Sequence, residues 1–352
     1  MPQFEDKSTY RFNPENMAVG ITIFSLGLFK KVIFADNIAA YATPVFTAAS
    51  KGIEPTLVEA WVGALAYTLQ LYFDFSGYSD MAIGIARMFG IKLPINFNSP
   101  YKAISISDFW RRWHITLSNF LRDYLYIPLG GSRKGEIRRN LNLLITMLLG
   151  GLWHGAGWTF VFWGGLHGTY LIINHQWRSL RKRLGHDLKN TNWFDRGCGW
   201  LLTFIAVVIG WVFFRAENMG AAFVIVKGMI GFNGISVGEA LSGKLGFLQN
   251  LNIQPNGWLP IIATKPTDVI LFIPFLLIIA WFTPNTQEWM ERHNPVLNHN
   301  VANKSLTDNT YFWKTIRWEP SNVYALIVSA LILIVLKMIL DAPESEFLYF
   351  NF

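Results

Sequence analysis

Charged residues are scarce in this chain. Only 15% of its 352 residues are Asp, Glu, Lys or Arg, whereas soluble proteins carry roughly 25%. Among the segments without such a residue, four are mostly apolar and reach the length of about 17–25 residues that a membrane helix needs: 140–177, 197–214, 269–287 and 320–336. The scarcity argues against an ordinary soluble domain. It predicts an all-α polytopic membrane protein with about six to eight membrane segments, in one domain that covers residues 1–352.

Cysteine is nearly absent as well. The single Cys198 excludes an intramolecular disulfide and a metal site built from cysteines. Its position at the edge of an apolar run predicts a small buried thiol. His114, His154 and His167 have no closely spaced ligand partner in the sequence, so the pattern predicts no metal site.

Acidic residues are fewer than basic ones, 23 against 30. The basic excess lies mainly in segments 130–139 and 176–196, and short basic loops of membrane proteins stay in the cytoplasm. We therefore assign the positive charge to membrane topology and predict no nucleic-acid partner. Residues 140–177, between these loops, would measure about 57 Å as one straight helix, nearly twice the about 30 Å of a bilayer core. The chain must turn once there, and the glycine-rich GLWHGAGW at 151–158 is the predicted place.

The stretch SISDFWRRWHITLSNFLRD, residues 105–123, is predicted to be one amphipathic helix. Ser105 and Asp108 have the spacing of a helix-capping box. Helical spacing brings together an apolar face that consists of Trp110, Trp113, His114, Leu117 and Leu121. His114 is the polar member of this face, and two interpretations stay open. It is either a core histidine bonded to a carbonyl group or a functional group that faces an internal cavity.

His154 stands in the middle of the longest uncharged stretch. A neutral imidazole can accept a proton from a hydroxyl group and later return it. Glycine-rich, irregular backbone is tolerated at membrane depth where it lines a cavity. We interpret GLWHGAGW as the wall of an internal cavity with one base directed into it; the alternative is a helix contact with a structural histidine. His167 lies either near the same cavity or in an interhelical hydrogen bond.

Three charged residues interrupt the apolar segment 61–89: Asp74, Asp80 and Arg87. Such groups are costly in a membrane unless they are paired or face water. We expect a structural charge network shared with other helices, with direct catalysis as the less favoured alternative.

Several stretches resemble the membrane-bound O-acyltransferase (MBOAT) family, and most closely its bacterial polysaccharide-modifying branch, typified by the alginate O-acetylation membrane protein. The matching stretches are GLFKKVIFADNIA (27–39), YFDFSGYSDMAIGIARMFGI (72–91), DFWRRWHITLSNFLRDYLYIPLGGSRKG (108–135), GGLWHGAGWTFVFWGGLHG (150–168) and FLYFNF (347–352). The signature region is 108–175. The resemblance implies a helical fold with a buried tunnel. Relatives usually have further hydrophobic helices before the region that begins here, so an N-terminally short version of the fold is expected.

The resemblance also implies roles for individual residues. The family's invariant histidine falls on His154, as the base, and a second polar position falls on His114, so both are expected to be catalytic. Substrate contacts are expected from five further residues of the two stretches: Trp110, Trp113, Trp153, Trp158 and His167.

The implied reaction is transfer of an acyl group, with acetyl the expected one, for O-acetylation of an exported polysaccharide such as alginate. No bound cofactor is implied. The co-substrate is a cytoplasmic acyl donor such as acetyl-CoA or an acyl carrier, and the implied partners are membrane lipids and periplasmic acetyltransferases. The implied location is the bacterial inner membrane. Two alternatives remain: a transporter or flippase of an acyl or glycolipid intermediate, with Asp74, Asp80 and Arg87 as gating charges, and a non-catalytic scaffold.

Overall fold

The computed structural model describes residues 2–187, 192–236, 253–254, 266–297 and 318–341. Helices dominate this described part, as predicted. Its only named strands are Ile235–Ser236 (β1) and Ile253–Gln254 (β2), which pair in parallel. The ending FLYFNF, residues 347–352, lies outside the described residues.

Thirteen α-helices are described. In chain order they are α1 (Pro2–Glu5), α2 (Pro14–Phe29), α3 (Asp36–Ser50), α4 (Leu57–Met88), α5 (Ile106–Trp110), α6 (Ile115–Leu121), α7 (Gly135–His154), α8 (Trp158–Arg183), α9 (Trp193–Arg215), α10 (Met219–Ile230), α11 (Pro266–Phe282), α12 (Thr286–Trp289) and α13 (Asn322–Asp341). Short 3₁₀ turns occur at Lys7–Tyr10, Pro100–Lys102 and Glu291–His293, and π-helical turns at Lys30–Ala35 and Arg122–Tyr126.

Within the described ranges, three helical segments are long and apolar enough to cross a membrane: Pro14–Ser50, Trp193–Arg215 and Asn322–Asp341. Two shorter apolar helices, Met219–Ile230 and Leu271–Phe282, accompany them. The long uncharged run does turn once, since α7 ends at His154 and α8 begins at Trp158. The predicted position of that turn is therefore confirmed.

Two local predictions are wrong. Residues 105–123 do not form one helix, because the chain breaks after Trp110 and His114 adopts a left-handed backbone conformation before α6. Cys198 is exposed instead of buried, since it lies in the first turns of α9, where few other elements cover the helix.

Close contact between α2 and α4 forms the framework against which other helices pack. Glycines occupy the crossing points: a Cβ built on Gly27 would lie 2.5 Å from the Gly77 carbonyl oxygen, and one on Gly84 would lie 2.6 Å from the Gly20 carbonyl oxygen. Small residues let two membrane helices approach this closely and gain van der Waals contact. The helix α4 also contacts α3, α9, α10 and α11, so it is the central element of the described structure.

Buried ion pairs connect the π-helical turn Lys30–Ala35 to α4. Lys30 Nζ lies 2.6 Å from Asp80 Oδ2, and Lys31 Nζ lies 3.0 Å from Asp74 Oδ1 and 2.6 Å from Asp36 Oδ1. In a regular helix two consecutive side chains diverge by about 100°, so the wider π turn helps both lysines to reach the same neighbouring helix.

The remaining bonds of this charge network come from more distant segments. Asp80 accepts hydrogen bonds from Thr286 Oγ1 and Gln287 Nε2, both at 2.7 Å. Arg87 does not pair with Asp80; it donates to the His293 carbonyl oxygen at 3.1 Å. These contacts join the π-helical turn after α2 to α4 and α12.

Adding a methyl group at the α2–α4 contact should destabilise the protein. We expect Gly27→Ala to lower the free energy of unfolding by about 1–3 kcal/mol, because an overpacked interior must shift. The midpoint of thermal unfolding in detergent measures this effect. Gly197→Ala in α9 is the matched control, since nothing lies within 4 Å of its added Cβ. That control should be neutral or stabilising, and equal melting of the two variants would contradict the prediction.

Replacing Asp80 alone should lower the free energy of unfolding more than replacing Lys30 and Asp80 together. We expect Asp80→Ala to destabilise the protein by about 1–3 kcal/mol, because it leaves the partly buried ammonium group of Lys30 without its carboxylate. The double variant Lys30→Met/Asp80→Ala should recover part of this loss. Thermal unfolding of the wild type, Asp80→Ala and the double variant provides the test. Asp123→Ala, in the exposed Arg122–Asp123 pair, is the control, and its melting temperature should change little. A double variant at least as unstable as Asp80→Ala would contradict this account.

Candidate active site

The left-handed backbone of His114 directs its side chain into the interior. Its φ angle is 40°, a conformation that costs a residue other than glycine about 1–3 kcal/mol and often occurs at functional sites. Asn96, in the connection after α4, holds this strained turn in place. The Asn96 carbonyl oxygen accepts from the Ile115 N–H at 3.0 Å, and its side-chain oxygen accepts from Thr116 Oγ1 at 2.7 Å.

Asn96 also orients the imidazole of His114. The Asn96 side-chain oxygen lies 3.3 Å from His114 Nδ1. An amide oxygen can only accept a hydrogen bond, so this contact favours the tautomer with hydrogen on Nδ1. The other ring nitrogen, Nε2, is then an acceptor.

His154 ends α7 at the tip of a tight helical hairpin. Gly151 and Gly164 make that hairpin possible, because a Cβ on either would collide with a backbone carbonyl group of the opposite helix, that of Phe160 or of Met147. The His154 residue is only 9% exposed. Its ring nitrogens have no hydrogen-bond partner in the described part of the chain, so a bound substrate could engage them.

Both histidines line one small cavity, which we call the histidine chamber. Its volume is about 20 Å³. The lining residues are Leu71, Phe75, Trp110, Trp113, His114, Leu117, His154, Trp163, Trp211 and Phe214. Apart from the two imidazoles, this lining is aliphatic or aromatic and contains no charged group. The helices α4, α5, α6, α7, α8 and α9, with the α5–α6 connection, all contribute to it.

A second and larger cavity adjoins the chamber at His114 and Phe75, and we call it the Asn96 cavity. Its volume is about 420 Å³. Its lining comprises Asp74, Phe75, Tyr78, Ser79, Ala82, Ile83, Leu93, Pro94, Asn96 and His114. His114 therefore stands in the wall between a roomy, partly polar space and a narrow apolar space.

The chamber lies near the middle of α4. The ring centroids of His114 and Phe75 are 4.8 Å apart, and Phe75 is about 27 Å from Leu57 and about 20 Å from Met88 along the helix axis. The Asn96 cavity extends from this level towards the Met88 end of α4. Trp200, near the start of α9, donates to the Tyr101 carbonyl oxygen at 3.0 Å. The connection that follows α4 therefore packs against the first turns of α9.

His167 lies behind the chamber and does not line it. The residue is 0% exposed, and its ring centroid is 5.0 Å from that of Trp163 and 5.3 Å from that of Trp110. Neither ring nitrogen has a hydrogen-bond partner among the described residues. The structure therefore brings His167 neither into the cavity of His154 nor into an interhelical hydrogen bond. It packs within the aromatic wall.

The four tryptophans expected to contact substrate divide into two pairs. Trp110 and Trp113 line the histidine chamber. Trp153 and Trp158 are 58% and 79% exposed and line none of the cavities described here. They stand at the hairpin tip, where the helical turn directs the residues beside His154 outward. Among the described residues, no three His, Cys, Asp or Glu side chains are grouped so that they could hold a metal ion.

Sequence patterns missed the residues that complete the site. Asn96 lies in a stretch recognised only as a helix end, and Trp211 and Phe214 lie in an apolar helix with no distinguishing spacing. A polar residue between Pro94 and Pro100 was the one available signal for Asn96, because an amide often caps an irregular turn.

Comparison of the sequence with known proteins identifies the family of this chain. The profile of the MBOAT, or membrane-bound O-acyltransferase, family matches residues 1–216. The chain belongs to the membrane-bound O-acyltransferase family. The match includes every residue that lines the histidine chamber and the Asn96 cavity.

Individual MBOAT relatives are similar over part of their length. The peptidoglycan O-acetyltransferase of Helicobacter pylori is 49% identical over 252 residues, which cover 72% of this chain and 46% of that protein. The probable alginate O-acetylase of Pseudomonas aeruginosa is 48% identical over 235 residues, 67% of this chain and 43% of that protein. A teichoic acid D-alanyltransferase of Streptococcus thermophilus is 32% identical over 174 residues, 46% of this chain and 41% of that protein. The chain thus spans less than half the length of these curated relatives.

Removing the Asn96 side chain should loosen the ring of His114. We expect diethylpyrocarbonate to modify His114 several-fold faster in Asn96→Ala, because the Nδ1 contact and the Thr116 bond are both lost. Peptide mass spectrometry measures the rate at this site. Asn96→Asp keeps an accepting oxygen and should stay closer to the wild type, and Asn119→Ala changes an exposed asparagine of α6 as the control. Unchanged modification in Asn96→Ala would show that Asn96 does not position the ring.

Proposed function

We propose that this chain carries the catalytic chamber of an O-acyltransferase that moves an acetyl group to a hydroxyl group during modification of an exported polysaccharide. The observation that carries the proposal is the histidine chamber, in which His114 and His154 line one small, mainly apolar space. The family membership and the names of the relatives support the same reaction class, with alginate and peptidoglycan as examples of the polymer.

In the proposed reaction, His154 acts as the general base. A ring nitrogen of His154 takes the proton of the acceptor hydroxyl as its oxygen attacks the carbonyl carbon of the acyl thioester. The carbon–sulfur bond then breaks, and the leaving thiolate receives the proton from His154. His114 Nε2 is an acceptor in the tautomer that Asn96 favours, so His114 is suited to orient the acceptor hydroxyl. The apolar walls exclude water, which would otherwise hydrolyse the donor.

The two cavities suggest the direction of transfer. The Asn96 cavity is lined in part by the connection after α4, and this connection also packs against the first turns of α9. In sequence, α9 follows directly on the basic segment 176–196, and short basic segments stay in the cytoplasm. A cytoplasmic donor such as acetyl-CoA or an acyl carrier would therefore approach His114 through this cavity. Arg133, Lys134 and Arg138 are exposed on the connection before and at the start of α7 and could attract its phosphates. Topology alone also accounts for these charges, so they are a secondary argument.

The cellular setting follows from this direction. We propose that the protein is a multi-pass protein of a bacterial inner membrane and contacts lipids on its apolar faces. The acceptor would be the polysaccharide itself or a periplasmic acetyltransferase that relays the acetyl group. The transporter alternative requires gating charges, but Asp74 and Asp80 are held in short ion pairs, which favours a structural role for them. A scaffold would need no chamber with two facing imidazoles.

Replacing His154 should abolish acyl transfer without removing the protein. We expect His154→Ala to reduce polymer-bound acetate by about 10²–10⁴-fold, the usual contribution of a general base. The measurement is ester-bound acetate released from cell polymer by mild alkali, in cells that produce the full-length protein, with membrane levels matched by immunoblot. His186→Ala, in an exposed loop, is the control. If polymer-bound acetate persists in His154→Ala, His154 is not the general base, and the transporter and scaffold alternatives are favoured.

A further inference from the structure

We infer that Arg87 and Lys92 form an anion subsite that holds the phosphate of a phosphopantetheine thioester, while its pantetheine arm extends through the Asn96 cavity to His114. This inference rests on the proposed acyl transfer. It names the chemical class of the donor, a thioester of coenzyme A or of an acyl carrier, and two residues that recognise it outside the histidine chamber.

Arg87 is a buried cation that is in no ion pair with a described carboxylate. The residue is 7% exposed. One terminal nitrogen donates to the His293 carbonyl oxygen at 3.1 Å, and Nε has no hydrogen-bond partner among the described residues. An arginine is almost never fully buried unless it is paired, because a buried charge without a partner is costly. The arrangement therefore indicates an anion that the described part of the chain does not itself provide.

Lys92 adds a second cation close to Arg87. It too is in no ion pair with a described carboxylate. Burial, followed by the nearby Arg87 guanidinium, lowers the pKa of Lys92 below its usual value, against the opposing effect of Glu15. The Glu15 carboxylate is itself engaged, since its Oε1 lies 2.7 Å from His293 Nδ1. Two cations that are held close together repel each other, and an anionic ligand that contacts both offsets this repulsion.

Both cations adjoin the Asn96 cavity. Ile83 and Leu93 line this cavity. Arg87 lies one helical turn beyond Ile83 on α4, and Lys92 directly precedes Leu93. The two cations therefore stand at the end of the cavity that is far from His114.

The separation between the two ends of the cavity matches the length of a pantetheine arm. The Phe75 ring centroid lies 4.8 Å from that of His114, and Phe75 is about 18 Å from Arg87 along the axis of α4, at about 1.5 Å per residue. An extended chain advances about 1.1–1.2 Å per bond, so the about 14 bonds from the phosphorus atom to the thioester carbon span about 16 Å. A phosphate at Arg87 therefore puts the thioester within reach of His114.

The cavity itself suits such an arm. Its volume of about 420 Å³ lies in the range of about 300–1,000 Å³ that is usual for small-ligand pockets. Its lining combines apolar side chains, such as Ala82 and Leu93, with the polar side chains of Ser79 and Asn96. A pantetheine arm has the same mixture, because its methyl and methylene groups alternate with a hydroxyl group and two amides. The acyl chains of an anionic lipid, another source of phosphate, would bury these polar groups against hydrocarbon.

The test compares two acetyl donors that differ in the phosphate. Inverted membrane vesicles that contain the full-length protein and the cell's own glycan receive acetyl-CoA or S-acetyl-N-acetylcysteamine, a short thioester without phosphate. Ester-bound acetate is quantified after release by mild alkali. Arg87→Gln should raise the KM for acetyl-CoA about 10–100-fold, the usual effect of losing a hydrogen bond to a charged group, and should leave the KM for the short thioester unchanged. Arg87→Lys keeps the charge and should lie between Arg87→Gln and the wild type.

Arg183→Gln is the matched control. It removes the same charge from an exposed position in the basic segment 176–196, so its KM for each donor should equal that of the wild type. An acetylated acyl carrier protein, supplied in place of acetyl-CoA, distinguishes the two natural sources of the phosphopantetheine group. A KM that Arg87→Gln raises for either one supports the subsite.

A second measurement does not depend on the folding of Arg87→Gln. In the wild type, 4′-phosphopantetheine should inhibit transfer from the short thioester at least about tenfold more strongly than pantetheine does. Lys92→Gln, at a partly buried position after α4, should reduce this difference. Equal inhibition by the two compounds would show that no phosphate is recognised.

The outcomes separate this inference from the proposed function. If transfer depends on His154 but Arg87→Gln changes the KM for both donors equally, Arg87 has a structural role and the inference is wrong. It is also wrong if phosphatidylglycerol raises the melting temperature of the wild type but 4′-phosphopantetheine does not, because the anion is then a lipid headgroup. If His154→Ala transfers acetyl from both donors as well as the wild type, the proposed function itself fails, and the inference fails with it.

Discussion

The site depends on the close contact between α7 and α8. Gly151 and Gly164 bring the two backbones so near that no side chain fits between them, and the hairpin therefore turns within a few residues after His154. A looser hairpin would carry His154 away from Trp163 and Phe214, whose ring centroids lie 5.4 and 5.0 Å from the imidazole. The absence of a side chain at Gly151 and Gly164 thus determines the position of the proposed base, His154.

A second constraint fixes the opposite side of the chamber. His114 reaches the cavity only because its backbone is left-handed, and that conformation is unfavourable by itself. Asn96 offsets the cost with hydrogen bonds to the two residues that follow His114. The connection after α4 is in turn attached to the rest of the fold, since the Asn98 N–H donates to the Arg112 carbonyl oxygen at 2.9 Å. The two imidazoles are therefore positioned by independent pieces of structure that meet at one cavity.

The charges in α4 serve a different purpose from the histidines. Asp74 and Asp80 are compensated by Lys31 and Lys30, and in an apolar environment such pairing is what makes buried charge tolerable. They tie α2 and α12 to the central helix and leave the chamber lining uncharged. This separation matters for the proposed chemistry, because a neutral, dry space keeps an imidazole available as a base and keeps water away from a reactive thioester.

Patterns along the chain were sufficient for much of this description. The helical membrane class follows from the scarcity of charge, the turn at 151–158 follows from helix length against bilayer thickness, and His114 and His154 stand out because they are polar residues among apolar ones. Each of these properties depends on overall composition or on residues within one segment, so the sequence by itself determines it. The break at His114, the role of Asn96, the outward position of Trp153 and Trp158, and the packing of His167 behind the chamber were decided only by tertiary structure. Each of them depends on contacts between segments far apart in the chain, and spacing within one segment carries no information about such contacts.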